Sequence, residues 1–138
     1  MSGRVPARPA ATVLAVAALA GILAGCGSAS TSTIDHHELR LTEEDFRILP
    51  YRSSVPGGRL KIVVRNVGAL THNLAIEAGS GDGRTGGHVF ATIPTIHPGG
   101  VGGPIKVTLP PGTYVLVSTV ANQADLGMVA TLVVRPGA

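Results

Sequence analysis

The chain has one cysteine, no tryptophan, two tyrosines and two phenylalanines among 138 residues. A lone Cys excludes an internal disulfide, so the fold must stand on packing and backbone hydrogen bonds. With aromatics at 3% of the chain, no carbohydrate-stacking face is available. Charged residues make up only 14%, and no Lys/Arg cluster interleaved with aromatics supports a nucleic-acid partner. Enzyme signatures are missing too. Ser118 lacks a Gly-x-Ser-x-Gly elbow, and there is no His-Glu-x-x-His run. The loop Gly79, Ser80, Gly81, Asp82, Gly83, Arg84, Thr85, Gly86, Gly87 is Gly-rich, but no helix follows it to make a phosphate cradle. The sequence therefore reads as a non-enzyme.

What is present begins with a targeting pattern. Arg4 and Arg8 precede an uncharged apolar run from Ala10 to Leu23, which ends in Leu23, Ala24, Gly25, Cys26. A basic start, a short apolar stretch and small residues before a cut describe a secretory signal over residues 1–25. The run is shorter than the ~20 apolar residues a spanning helix needs. Leu-Ala-Gly-Cys resembles the bacterial lipobox, which implies lipidation of Cys26 and a membrane-anchored, extracytoplasmic protein of the bacterial cell envelope. Each buried acyl methylene adds about 0.8 kcal/mol of membrane affinity. Removing 25 residues leaves 113 of the 138, enough for one domain. Of 11 Lys and Arg, two go with the signal, leaving nine against eight Asp and Glu, so the sequence pI near 9.6 says little about partners. Residues 26–38 are small and polar and read as a tether, in which His36 and His37 form a solvated pair. The partners expected are the membrane, through the lipid, and a protein of the envelope.

Residues 39–138 read as β. Leu60, Ile62 and Val64 alternate with Lys61, Val63 and Arg65. Leu39 to Leu49 holds one imperfect strand, and Val55, Pro56, Gly57 and Gly58 signal a turn. Further strands are expected over 72–78, 88–93, 105–109, 114–118 and 128–134, with 97–103 a loop. About seven short strands separated by Gly and Pro imply an all-β Greek-key sandwich. Tyr114, just after Pro110, Pro111 and Gly112, is placed to act as a tyrosine corner.

The last hairpin, from Pro110 to Met128, resembles the copper-ligand loop of the cupredoxins, the blue-copper fold. In that family a Cys ends the strand, a His follows five residues later and an axial Met five after that. Here Met128 keeps the Met position, Ser118 stands at the Cys position and Gln123 at the His position. The segment Val67, Gly68, Ala69, Leu70, Thr71, His72, Asn73 is similar to the part that gives the first His ligand, which implies a ligand position for His72 and a scaffold position for Asn73. The resemblance spans roughly residues 39–134.

The type 1 site needs a thiolate and two imidazoles. A Ser hydroxyl is not ionised near neutral pH, so the resemblance implies the fold without the usual chemistry, and no cofactor. The expected role is a non-redox binding or accessory module that has lost the type 1 ligands. The alternative is a copper-handling protein that binds Cu(I) weakly through His72 and Met128. His88 and His97 flank Gly-rich loops and become relevant only if a loop folds over His72.

Overall fold

The computed structural model of the protein describes residues 37–79 and 85–137. The expected signal, Cys26, His36 and nearly all of the tether lie outside the described residues. The described chain holds nine strands: β1 (Glu38–Glu44), β2 (Arg47–Pro50), β3 (Ser54–Pro56), β4 (Gly58–Asn66), β5 (His72–Ala78), β6 (Val89–Ile96), β7 (Val101–Leu109), β8 (Gly112–Val117) and β9 (Val129–Arg135). They form two sheets, ordered β2-β1-β4-β7 and β3-β9-β8-β5-β6. The architecture is the all-β sandwich expected.

Alternation sends one face of each strand into the space between the sheets. Leu39 and Leu41 of β1, Leu60, Ile62 and Val64 of β4, Leu74 and Ile76 of β5, Leu116 of β8 and Leu132 and Val134 of β9 make one apolar core. Each such side chain contributes about 1.5–3 kcal/mol on burial. The same parity makes Glu43, Asn66, His72 and Ser118 inward-facing, and all four are fully buried. Tyr114 donates to the Pro110 carbonyl at 2.6 Å, the corner bond its position implied, and its ring meets Phe90 edge-on at 5.2 Å.

Nine strands replace about seven for local reasons. A turn at Asp45 and Phe46, with Phe46 at φ 64°, folds residues 39–49 into two antiparallel strands. Ser54–Pro56, expected as part of a turn, pairs in parallel with β9. β7 starts at Val101 and so runs through three residues expected in a loop. Gly102 permits this, because a Cβ there would strike Ile93 and Ile96 of β6 within 2.5–2.9 Å. β1 already begins at Glu38, the last residue assigned to the tether, where the His37 carbonyl accepts from the Lys61 amide at 2.8 Å.

The sandwich has two distinct ends. At one, His37 lies beside Gly58, and the Gly57 amide donates to the Arg135 carbonyl. At the other lie the β1–β2 turn, the bend 67–71, the turn 97–100 and the long connection 118–128. We call this second end the loop end.

Candidate functional site

The loop end is fixed first by Asn66. Its Oδ1 accepts from the Gly68 amide at 2.9 Å, and its Nδ2 donates to the carbonyls of Leu70 and Ile96 at 2.8 and 2.9 Å. A single buried carboxamide thus satisfies two backbone groups of the bend and ties the bend to the end of β6. Gly68 lets the bend pass close to Asp45, whose side chain would collide with any Cβ there. The bend delivers His72 to the start of β5, opposite Ile96, with its ring fully buried.

The connection after β8 comes back over His72. Turn bonds from the Gln123 amide to Val120 and from the Leu126 amide to Asn122 coil it. The Met128 amide donates to the Gln123 carbonyl at 2.9 Å, and the Ser118 amide to the Met128 carbonyl at 3.1 Å. The five-residue spacings of Ser118, Gln123 and Met128 become one closed backbone turn.

Gln123, 6% exposed, is the hub. Its Nε2 donates to the Thr71 carbonyl at 2.9 Å. A carbonyl can only accept, so the amide orientation is set and Oε1 faces inward. That oxygen accepts from Ser118 Oγ at 2.7 Å and lies 2.9 Å from His72 Nδ1. An amide oxygen cannot donate, so the Nδ1 proton belongs to His72. Ser118 and His72 are thus joined through Gln123. Asn73 braces the other side. Its Oδ1 accepts from the Thr119 amide at 2.8 Å and lies 3.2 Å from Ser118 Oγ, while its Nδ2 donates to Thr119 Oγ1 at 2.8 Å. Ser118 has one proton, and the shorter contact assigns it to Gln123. The structure therefore brings His72, Ser118 and Gln123 into one hydrogen-bonded set. Met128 closes the turn through its backbone and packs its fully buried side chain into the apolar core.

Three side chains at this end have no site role assigned from the sequence. Asn66 is one. Glu43, paired in register with Asn66, is fully buried, and neither carboxyl oxygen has a hydrogen-bond partner. Burial pushes its carboxyl up to about 7. Asp45 is 34% exposed, and the Leu70 amide at 3.0 Å and the Ala69 amide at 3.1 Å hold its carboxyl below the usual range. Its Oδ1 lies 3.4 Å from His72 Nε2. That contact is not aligned as a hydrogen bond, and Nε2 is buried without one. The alternation of Leu39, Leu41 and Glu43 was a signal for Glu43. Nothing local in the sequence announced Asp45.

The other described histidines stay apart from the set. His88 lies at the far end of β5, where its carbonyl accepts from the Ala78 amide, and its ring meets Phe90 edge-on at 4.9 Å. His97 is exposed at the loop end, one residue past the partner of His72. His37 sits where β1 begins, at the opposite end. Among the described residues no group of three or more His, Cys, Asp or Glu is placed to hold a metal ion.

No family model matches the chain, and no curated protein sequence matches it. Solved structures do resemble it. Reduced auracyanin from Roseiflexus castenholzii aligns with a TM-score of 0.60 and 20% identity over 72% of this chain and 98% of its own. Auracyanin A, a "blue" copper protein of Chloroflexus aurantiacus, aligns with a TM-score of 0.55 and 18% identity over 71% and 98%. An azurin from Methylomonas sp. strain J gives 0.54 and 16% over 73% and 98%. At these identities the likeness speaks for the fold, which is cupredoxin-like.

Proposed function

We propose that this cupredoxin-like chain is an extracytoplasmic, lipid-anchored accessory module, not an enzyme, whose copper position is closed by its own side chains. One observation carries the reading: the Gln123 amide oxygen sits 2.9 Å from His72 Nδ1 and 2.7 Å from Ser118 Oγ. The solved neighbours include a "blue" copper protein, so the fit of copper has to be tested against the donors present. They do not fit a type 1 centre. No thiolate is there, the second imidazole is a neutral carboxamide, and His72 Nδ1 bears a proton held by Gln123. In place of a soft, partly anionic ligand set the chain has a closed net of neutral hydrogen bonds. Such a net rigidifies the loop end and presents a fixed surface to a partner in the envelope. The apolar run before Cys26 supports the anchor.

The test is a copper titration with two arms. Loaded with Cu(II), the protein stays colourless, because no sulfur-to-copper charge transfer exists. With Cu(I), competition against a chelator finds weak binding at best. An intense visible band would overturn the reading. Tight Cu(I) binding lost in both His72→Ala and Met128→Ala would replace it with the copper-handling alternative.

A further inference from the structure

His72 has a second face that the hydrogen-bonded set leaves open. Nδ1–H is committed to Gln123, so Nε2 is the ring nitrogen left for another partner, and it faces Asp45 Oδ1 at 3.4 Å. An unprotonated Nε2 there would meet the carboxylate with its lone pair, which repels it. Yet the Asp45 oxygens are fixed where they are by the amides of Ala69 and Leu70. Nε2 is fully buried and without a hydrogen-bond partner, while the Asp45 side chain is 34% exposed, so the pair reaches solvent through the carboxylate. The arrangement calls for a positive guest between the two atoms.

The spacing says which kind. Two ligands at about 2.05 Å (imidazole nitrogen) and 2.1 Å (carboxylate oxygen) that meet a tetrahedral ion near 109° stand about 3.4 Å apart. That is the separation observed. The same triangle puts the oxygen about 35° off the nitrogen axis, consistent with a contact too bent to count as a hydrogen bond. We propose that His72 Nε2 and Asp45 form the protein half of an exchangeable Zn2+-type site at the loop end, completed by solvent. It rests on the Gln123 closure argued above, because that bond fixes which ring nitrogen is free. It uses the nitrogen facing away from Ser118 and Gln123, so neither of those side chains nor Met128 takes part. With two protein donors the affinity is modest, and the ion comes and goes without unfolding the chain.

Long-range proton–nitrogen correlation spectra of the intact, 15N-labelled protein read the two ring nitrogens separately, with Zn2+ alone as the probe. The expected result is an unprotonated Nε2 whose resonance moves on adding Zn2+, while Nδ1–H persists. The response is lost in Asp45→Asn and survives His36→Ala/His37→Ala. If Asp45→Asn loses its folded amide spectrum, Asp45→Glu serves. It keeps the charge, shifts the oxygen by one methylene and weakens the response. A protonated Nε2 that ignores saturating Zn2+ would overturn the site in favour of a plain imidazolium–carboxylate pair. A response that survives Asp45→Asn, or disappears with the tether histidines, would mean an adventitious ion only. Loss of the Nδ1 proton would instead strike at the Gln123 closure, so the two failures are told apart.

Discussion

Two buried polar places lie at the loop end, and they are built in opposite ways. Around Gln123 every polar atom of the carboxamide, the Ser118 hydroxyl and His72 Nδ1 has a partner. Glu43, just as buried and facing the same interior, has none. The difference is one of charge. Neutral amides and hydroxyls can be satisfied by backbone carbonyls and by each other, so their burial is nearly cost-free once bonded. A carboxyl without partners survives in an apolar interior only by holding its proton. His72, Ser118 and Gln123, three of the positions that the family resemblance assigns to ligands, therefore brace one another by hydrogen bonds, while Glu43 sits buried without a partner.

The sharpest way to break this contrast is Gln123→Ala. It strips the acceptor from two donors and leaves the Thr71 carbonyl bare. At 1–3 kcal/mol for each orphaned group, the expected loss is about 4 kcal/mol, read by denaturant unfolding. A loss below about 1 kcal/mol would mean that the set holds nothing.

Glu43 gives the next largest effect, and it depends on pH. Burial pushes the folded carboxyl up to about 7 from its ordinary 4.5. Between those values the folded chain keeps a proton that the unfolded chain releases. Stability therefore falls as pH rises through this window and levels off above it, by about 3 kcal/mol in all. Glu43→Gln abolishes the slope. An unfolding free energy equally steep with pH in that variant would assign the slope elsewhere.

Ser118→Ala is the mildest. Gln123 Oε1 keeps its bond from His72, so only one neutral hydrogen bond is lost, about 1 kcal/mol. A cost as large as that of Gln123→Ala would move the hub from the amide to the hydroxyl.

Much of this was legible beforehand because it follows parity. Alternation in residues 59–67 and 114–118 placed the core side chains and turned Ser118 inward, and the Pro-Gly turn before Tyr114 gave the corner. The spacing of Ser118, Gln123 and Met128 marked the turn that converges on His72. What could not be read was the join. Nothing in the spacing says that His72 and Ser118 meet through Gln123 and not directly, because amide reach is a tertiary matter. Asp45 was invisible for the same reason: the bend at Gly68 brings it to His72 from 27 positions away. The second strand hid behind Phe46 at positive φ, and the early start of β7 behind Gly102, which tolerates close packing, since single residues there outweigh the local pattern.

The chain enters the sandwich at His37, and β1 runs from there beside β4 in parallel until it reaches the loop end. A copy held by its leading segment and gripped at its loops is thus pulled along its strand axes. The β1–β4 ladder is then loaded in shear, with its hydrogen bonds sharing the force together, rather than unzipped one at a time. A pull between that entry point and the loop end would therefore meet the ladder in its stiffest direction.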